Sequence, residues 1–432
     1  MDYKKQVSVI ENYFKTHETE VEDFKIGIEF EHYVIDRDTF ETISYYGDKG
    51  VAETLKQLEK LGWKATYEGE YILGLKKGKR TITLEPGSQL ELSIDANISI
   101  KTIQDEYEKF IEEINPVLRE KNQELITTGY HPETKIEDIT LLPMGRYGLM
   151  FDYFKDKGKY AHNMMKGTSA LQVSIDYSSE DDYKKKYRLA NALSPVLYAL
   201  FDNSFYFEGE KWDHYNLRAD IWNNCDDQRS GIAEGALDGN FGYKDYAEYI
   251  LNRPPIFIKK NGEDIATAEK KVRELFNPED YTVKELEHFL SMFFPDVRTK
   301  GFIEIRQMDS VPYNLSLAAV ALIKGIFYNE ENLNTAYEAT LDIGLKDVEK
   351  AKLDIIERGM KATLKDKSIV EIGKWLVDLA KSGLEEDELA YIEPLEEMIE
   401  KGENPYEKIK QNENLGKKKA LDWSIVRERG VI

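Results

Sequence analysis

The sequence predicts an α+β fold in which a sheet curves around a concavity and the C-terminal part is helical. Three observations carry this. Residues 25–36, 81–94, 168–177 and 302–308 alternate apolar and polar side chains with the period of two that a half-buried strand requires. Between these segments, and almost throughout from Pro312 onward, apolar residues recur at helical spacing instead. The Glu85-Pro86-Gly87 interruption inside the second segment marks a bend, because proline cannot donate to a strand ladder.

In chain order, residues 3–18 read as an amphipathic helix and 25–36 as a strand. A helix at about 51–61 leads into a hairpin over 71–94 that turns at Lys77-Gly78. A long helix follows over 100–121, then a short strand over 124–130. Residues 145–154 open a helix beside a pocket, 168–177 form a strand and 180–201 a helix. Residues 203–260 are irregular, rich in Asp, Asn, Gly and aromatics, with one helix near 243–252; so long a loop-rich stretch is more often functional than idle. A helix at 283–293 precedes a last strand at 302–308. With no repeat, low-complexity tract or linker in the sequence, residues 1–320 read as one catalytic unit and 321–432 as a helical part packed on the same domain.

A chain of 432 residues, 41% hydrophobic and 12% aromatic, can build a substantial core. Its net charge of −22 argues against nucleic acid or an anionic membrane as the main partner. Such a chain can still bind a polyphosphate if metal ions or local arginines reverse the field. Cys225 is the single cysteine, so an intramolecular disulfide framework is ruled out. The first twenty residues lack the apolar run of a secretory signal, and no window reaches the ~18 apolar residues of a membrane span. The expected location is the cytoplasm.

Each predicted strand carries charge on one face. Ile26, Ile28, Phe30, His32 and Val34 oppose Gly27, Glu29, Glu31 and Tyr33. Ile82, Leu84, Leu90, Leu92 and Ile94 oppose Thr83, Glu85, Gly87, Gln89, Glu91 and Ser93. Leu171, Val173 and Ile175 oppose Ala170, Gln172, Ser174 and Asp176, while Ile303 and Ile305 oppose Phe302, Glu304, Arg306 and Met308. A wet sheet face is the ordinary explanation. Against it, these positions hold carboxylates with almost no lysine. Carboxylates gathered together protonate or take up cations, and an all-oxygen set suits Mg²⁺ or Mn²⁺.

Anionic substrates also require forked guanidinium groups, for which Arg146, Arg218, Arg229 and Arg306 stand in polar, loop-like or strand contexts. Walker, dinucleotide-binding and serine-elbow motifs are lacking in the sequence. The six histidines show no metal-ligand spacing, and His32 falls on the apolar face as a packed residue. Cys225 lies in a polar loop, a setting in which a thiol can react, but one cysteine without a placed base is weak evidence for nucleophilic catalysis.

The segments IGIEFEHYVID, TITLEPGSQLELSI, GYHP, PMGRYGLM, MMKGTSALQVSIDYSSE, LRADIWNNCDDQRSG and FPDVRTKGFIEIRQMDSVP occur in that order. Together they resemble the glutamate–cysteine ligases of the plant and proteobacterial type, over about residues 25–315, with no single motif carrying the likeness. The resemblance implies a glutamine-synthetase-like fold: a curved, mainly antiparallel sheet forming a funnel, with helices outside. It implies ATP, Mg²⁺, L-glutamate and L-cysteine as ligands and an acyl-phosphate route. It assigns Glu29, Glu31, Glu91, Gln172 and Glu304 to metal ions, with Glu85 beside them. Arg306, Glu85 and Arg229 take catalytic roles, and Arg146, Arg218 and Thr168 hold substrate. The 203–260 segment is the expected cover, and the oligomeric state is left open, a homodimer being one option. The family commonly has Asn where this chain has Ser174, and the cysteine-pair switch of plant members cannot operate with Cys225 alone. A γ-glutamyl ligase for another amine, a non-catalytic glutamate- or nucleotide-binding relative, and a guanidino kinase with a related sheet remain alternatives.

Overall fold

The computed structural model describes residues 2–260 and 262–428. Its centre is a nine-stranded sheet in which every pairing is antiparallel. The first seven strands are β1 Ile26–Asp36, β2 Lys64–Glu68, β3 Tyr71–Lys77, β4 Arg80–Leu84, β5 Leu90–Asn97, β6 Gln123–Ile126 and β7 Ala170–Ile175. A separate hairpin, β8 Phe257–Lys260 and β9 Glu263–Ala266, precedes β10 Val297–Thr299 and β11 Ile303–Asp309. The sheet order is β10-β11-β7-β1-β5-β4-β3-β2, with β6 on the far end of β1. Register shifts in three of the pairings bend and twist the strands.

Helices pack around the sheet. Those of seven residues or more up to the last strand are α1 Tyr3–Lys15, α2 Val51–Lys60, α3 Ile100–Arg119, α4 Gly145–Phe154, α5 Ala161–Gly167, α6 Glu180–Ala192, α7 Ser194–Leu200, α8 Leu217–Asn223, α9 Tyr243–Leu251 and α10 Val283–Ser291. α3 begins at the Ser99 cap and presents Ile103, Tyr107, Phe110 and Ile114, at helical spacing, to the core. Phe30 of β1 meets the Tyr107 ring at 4.5 Å, and Tyr107 stacks on Tyr313 of α11, Tyr313–Phe327. Each fully buried Leu, Ile or Phe on this face contributes about 1.5–3 kcal/mol. His32 is packed here as expected. A neutral ring donating from Nδ1 to the Leu90 carbonyl (3.3 Å) and accepting at Nε2 from the Tyr107 hydroxyl (2.8 Å) satisfies both nitrogens. Burial depresses its pKa to about 4, so it stays neutral.

The structure departs from the sequence expectation in several places. Residues 81–94 form two strands, β4 and β5, joined by a turn over 85–89. The faces nevertheless come out as expected, because Leu84 pairs with Leu90 and Ile82 with Leu92, keeping like parity together. The helix over 180–201 breaks at Leu193, where Pro195 fits only the first turn of a new helix. β2 is an exposed edge strand without an apolar face, and β10 has three residues, so neither carries a periodic signal. In β11 a bulge places both Arg306 and Gln307 opposite Gln172. Beyond it the parity flips: Met308 pairs with Leu171 and enters the core, and Asp309 pairs with Ala170 on the charged face.

The expected change at residue 320 falls inside α11. Downstream lie α12 Glu330–Ala339, α13 Leu345–Arg358, α14 Ile369–Ser382 and α15 Leu389–Glu400, of which α14 and α15 pack on α11. Lys352 of α13 reaches the buried Asp296 at the start of β10, at 2.9 Å. One apolar cluster contains residues from both sides of position 320. No helix among the described residues is long and apolar enough to cross a membrane.

Candidate active site

A cavity of about 400 Å³ lies on the charged face of the sheet. β1 supplies Glu29 and Glu31, the β4–β5 turn supplies Glu85, and β5 supplies Glu91. Across the ladders Glu31 faces Glu91 directly, and Glu29 faces Ser93 on one side and Gln172 on the other. Like charges directly opposed in a sheet repel. Burial, and then Glu91 and Glu304, push Glu29 up to about 8. Burial and Glu85 push Glu91 up to about 7. Burial with Glu85 and Glu91 holds Glu31 well above the usual range. Burial raises Glu85 too, with Arg146 pulling the other way.

Hydrogen bonds hold this wall in place. Glu31 accepts from the Ala170 N–H at 2.7 Å and from Gln172 Nε2 at 3.0 Å. Glu91 accepts from Thr83 Oγ1 at 2.7 Å and Ser93 Oγ at 3.1 Å. The β4–β5 turn rests against the end of α5, where a Cβ on Gly87 would come within 2.3 Å of the Lys166 carbonyl oxygen. Gln89 ties the turn down, accepting from the Gly87 N–H (2.8 Å) and donating to the Thr168 carbonyl (2.9 Å). Thr168 lines the cavity, its hydroxyl donating to the Met164 carbonyl at 2.8 Å.

Cations complete the lining. Arg146 of α4 lies over the Tyr147 ring at 4.9 Å. Arg218 of α8 donates to the Arg306 carbonyl at 3.0 Å and lies 5.7 Å from the Trp222 ring. Arg298 and Lys300 also line the cavity. Sequence reasoning missed both, although the β10–β11 hairpin pairs Arg298 with Glu304 directly, a pairing legible once residues 297–305 are read as a hairpin. Met150, Met164, Met165, Met292, Trp222 and Phe294 form an apolar side.

Two expected site residues lie elsewhere. Glu304 is fully buried behind the cavity surface, with Arg298 Nε at 2.6 Å, Arg306 at 2.8 Å and Lys300 Nζ at 3.1 Å. Burial alone would raise its pKa, but these three cations outweigh it and hold the carboxyl well below the usual range. Glu304 here is the shared counter-ion of three cavity cations. Gln172 lines the cavity, its Oε1 bonded to Arg306. Arg229 does not reach the cavity; its buried guanidinium bonds Asp226 (2.7 Å), the Tyr153 hydroxyl and the Pro254 carbonyl, pinning the 203–260 segment to α4. Cys225 is buried as well, and burial pushes its thiol far up, so it is no nucleophile.

Among the described residues no three Asp, Glu, His or Cys side chains converge as a cage for a metal ion. The wall of Glu29, Glu31, Glu85 and Glu91 nevertheless fits Mg²⁺: it is oxygen-only, charge-frustrated, and Mg²⁺ characteristically uses one or two carboxylates plus water and phosphate oxygens.

The fold and this face define a class, the carboxylate–amine ligases built on one antiparallel sheet. The 2.0 Å crystal structure of glutamate–cysteine ligase from Francisella tularensis in complex with AMP shares the fold, with a TM-score of 0.60, 13% identity, and coverage of 93% of this chain and 87% of that one. Within that class the chain belongs to glutamate-cysteine ligase family 2 (GCS2), whose model matches residues 25–421. It is 32% identical to the chloroplastic glutamate–cysteine ligase of Nicotiana tabacum, over 90% of this chain and 76% of that relative. The Solanum lycopersicum enzyme is 30% identical over the same shares. The protein is accordingly a ligase.

Proposed function

We propose that the protein joins the γ-carboxylate of L-glutamate to the amine of L-cysteine at the expense of ATP, through γ-glutamyl phosphate, the first step of glutathione biosynthesis. One observation carries the reading in this family member: a single cavity sets four carboxylates against Arg146, Arg218, Arg298 and Arg306. Two anions, a carboxylate and a triphosphate, must meet there. Arg146 and Arg218 take the carboxylates of glutamate in forked hydrogen bonds, with Thr168 beside them. Arg298, Lys300 and Arg306, held together by Glu304, neutralise charge on the transferring phosphoryl group. Mg²⁺, held by Glu29, Glu31, Glu85 and Glu91 with Gln172 adjacent, would screen the phosphate charge that these acids otherwise repel. The apolar side formed by Met164, Met165, Met292 and Phe294 excludes water from the acyl phosphate. The single thiol in the sequence supports a cytoplasmic location.

The test is ADP release by purified protein with Mg-ATP and glutamate, one amine being added at a time and the product identified by mass. Cysteine-dependent ADP release with γ-glutamylcysteine is expected. Turnover with a different amine alone would reassign the acceptor, and no turnover by folded protein would sink the catalytic reading.

A further inference from the structure

Among the described residues that line the cavity none comes from α13, yet two chains of direct bonds run from one face of that helix to the cavity's arginines. Lys352, Ile355 and Ile356 share this buried face at helical spacing. The first chain starts at Lys352, whose buried ammonium lies 2.9 Å from Asp296 Oδ2. The same oxygen accepts from the Ser194 hydroxyl at 2.5 Å, and Oδ1 accepts from the Tyr198 hydroxyl at 3.2 Å. The main chain of Asp296 then holds the bulge. Its carbonyl accepts the Arg306 N–H at 3.2 Å, a proton shared with Gln307 Oε1 at 3.0 Å.

The second chain starts at the last turn of α13, whose carbonyls have no further turn of helix to satisfy them. The Ile356 carbonyl accepts from the Tyr215 N–H at 2.9 Å, and the Ile355 carbonyl from Asn216 Nδ2 at 3.1 Å. Asn216 is buried, holds a left-handed φ of 49° and is the residue from which α8 starts, so its anchor sets the first turn that carries Arg218. The two chains meet at Arg306, whose carbonyl accepts from Arg218 at 3.0 Å.

We propose that α13 is the back-plate of the cavity's cationic side, with Lys352 positioning Arg306 through Asp296 and Asn216 positioning Arg218. The assignment rests on the reading of Arg306 as a group that neutralises the transferring phosphoryl and of Arg218 as a glutamate ligand. A guanidinium already held in place need not be ordered by its substrate, and a displacement of about 1 Å at such a group can lower a rate by about a hundredfold. Because the ties end on different arginines, they fail differently. Loosening the first shows in turnover, and loosening the second in glutamate affinity.

Lys352→Met combined with Asp296→Asn removes the ion pair without leaving a lone buried charge, since the new amide can accept from Ser194 and donate to Tyr198. Its melting temperature should stay within about 3 °C of wild type while kcat falls about tenfold and the KM for glutamate moves less than about twofold. Asn216→Gly keeps the left-handed backbone and removes the bond to Ile355; it should raise the KM for glutamate about tenfold and leave kcat within about twofold. A wild-type kcat in the neutral pair or a wild-type KM for glutamate in the glycine variant would overturn the proposal. So would a melting temperature that falls in step with every kinetic constant in both. Glutamate binding to wild type and Asn216→Gly is also measured by calorimetry without ATP. If wild-type protein binds glutamate but turns nothing over, the ligase reading fails, and a tenfold loss of binding in the glycine variant, or its absence, still decides this one; no glutamate binding at all overturns both.

Discussion

Replacing Glu91 by Gln should make the metal-free protein more stable at alkaline pH and nearly inactive. Glu91 faces Glu31 across the ladder, and its pKa is pushed from an ordinary 4.5 to about 7. The folded state therefore retains a proton that the unfolded chain releases. Stability from the neutral form is complete below pH 4.5 and is lost as pH rises through about 7. That gap corresponds to about 3 kcal/mol, of which about 2 survives screening by cavity water around a half-buried carboxylate. Gln carries no charge, and its amide oxygen can still accept from Thr83 and Ser93. Thermal unfolding in chelator from pH 5 to 8.5 is the assay. The variant should melt about 3 °C above wild type at pH 8, and the two curves should merge near pH 5. ADP release should meanwhile fall by about a hundredfold. An offset independent of pH, or a variant less stable at pH 8, would refute the charge argument.

Glu304→Gln strands Arg298, Lys300 and Arg306 without their shared anion; it should cost about 3–5 kcal/mol in urea unfolding and collapse turnover, and a fully active variant of wild-type stability would contradict the counter-ion role. Cys225 should resist a disulfide-exchange reagent in native protein at pH 7.5 and react stoichiometrically after unfolding; rapid native labelling would show that the buried thiol is reachable. Gly87→Ala should cost about 1–3 kcal/mol in thermal unfolding, since the Lys166 carbonyl lies where the methyl would go, and an unchanged melting point would mean the turn can move.

Periodicity told which side chains share a face, and Glu29, Glu31, Glu85, Glu91 and Gln172 all line the cavity on that basis. It could not tell which strands pair, so the opposition of Glu31 to Glu91 and of Arg298 to Glu304 emerged only from register. Nor could it foresee the bulge in β11, which sets Arg306 and Gln307 against Gln172 alone and exchanges Met308 for Asp309 on the charged face. Glu304 reads as a metal-binding acid of the cavity because its alternation matches its neighbours', whereas the three cations that enclose it come from its own strand and the segment just before. For Arg229 a local cue was available: Asp226, three residues earlier, is the partner that keeps it from the cavity. Cys225 misled because its sequence neighbours are polar; Asn224 and Asp227 point outward while the thiol packs inward.

The five-residue turn over 85–89 acts as a spacer whose length matters more than most of its letters. Since partners across β4 and β5 share a face, deleting one residue while the turn keeps its five-residue form would slide β5 by one position and set Glu91 opposite Leu84. Leu90, Leu92 and Ile94 would then face the cavity and Glu91 the core. Length variation in this part of the chain is thus confined to even steps, whereas the exposed edge strand β2 has no apolar face to keep in register.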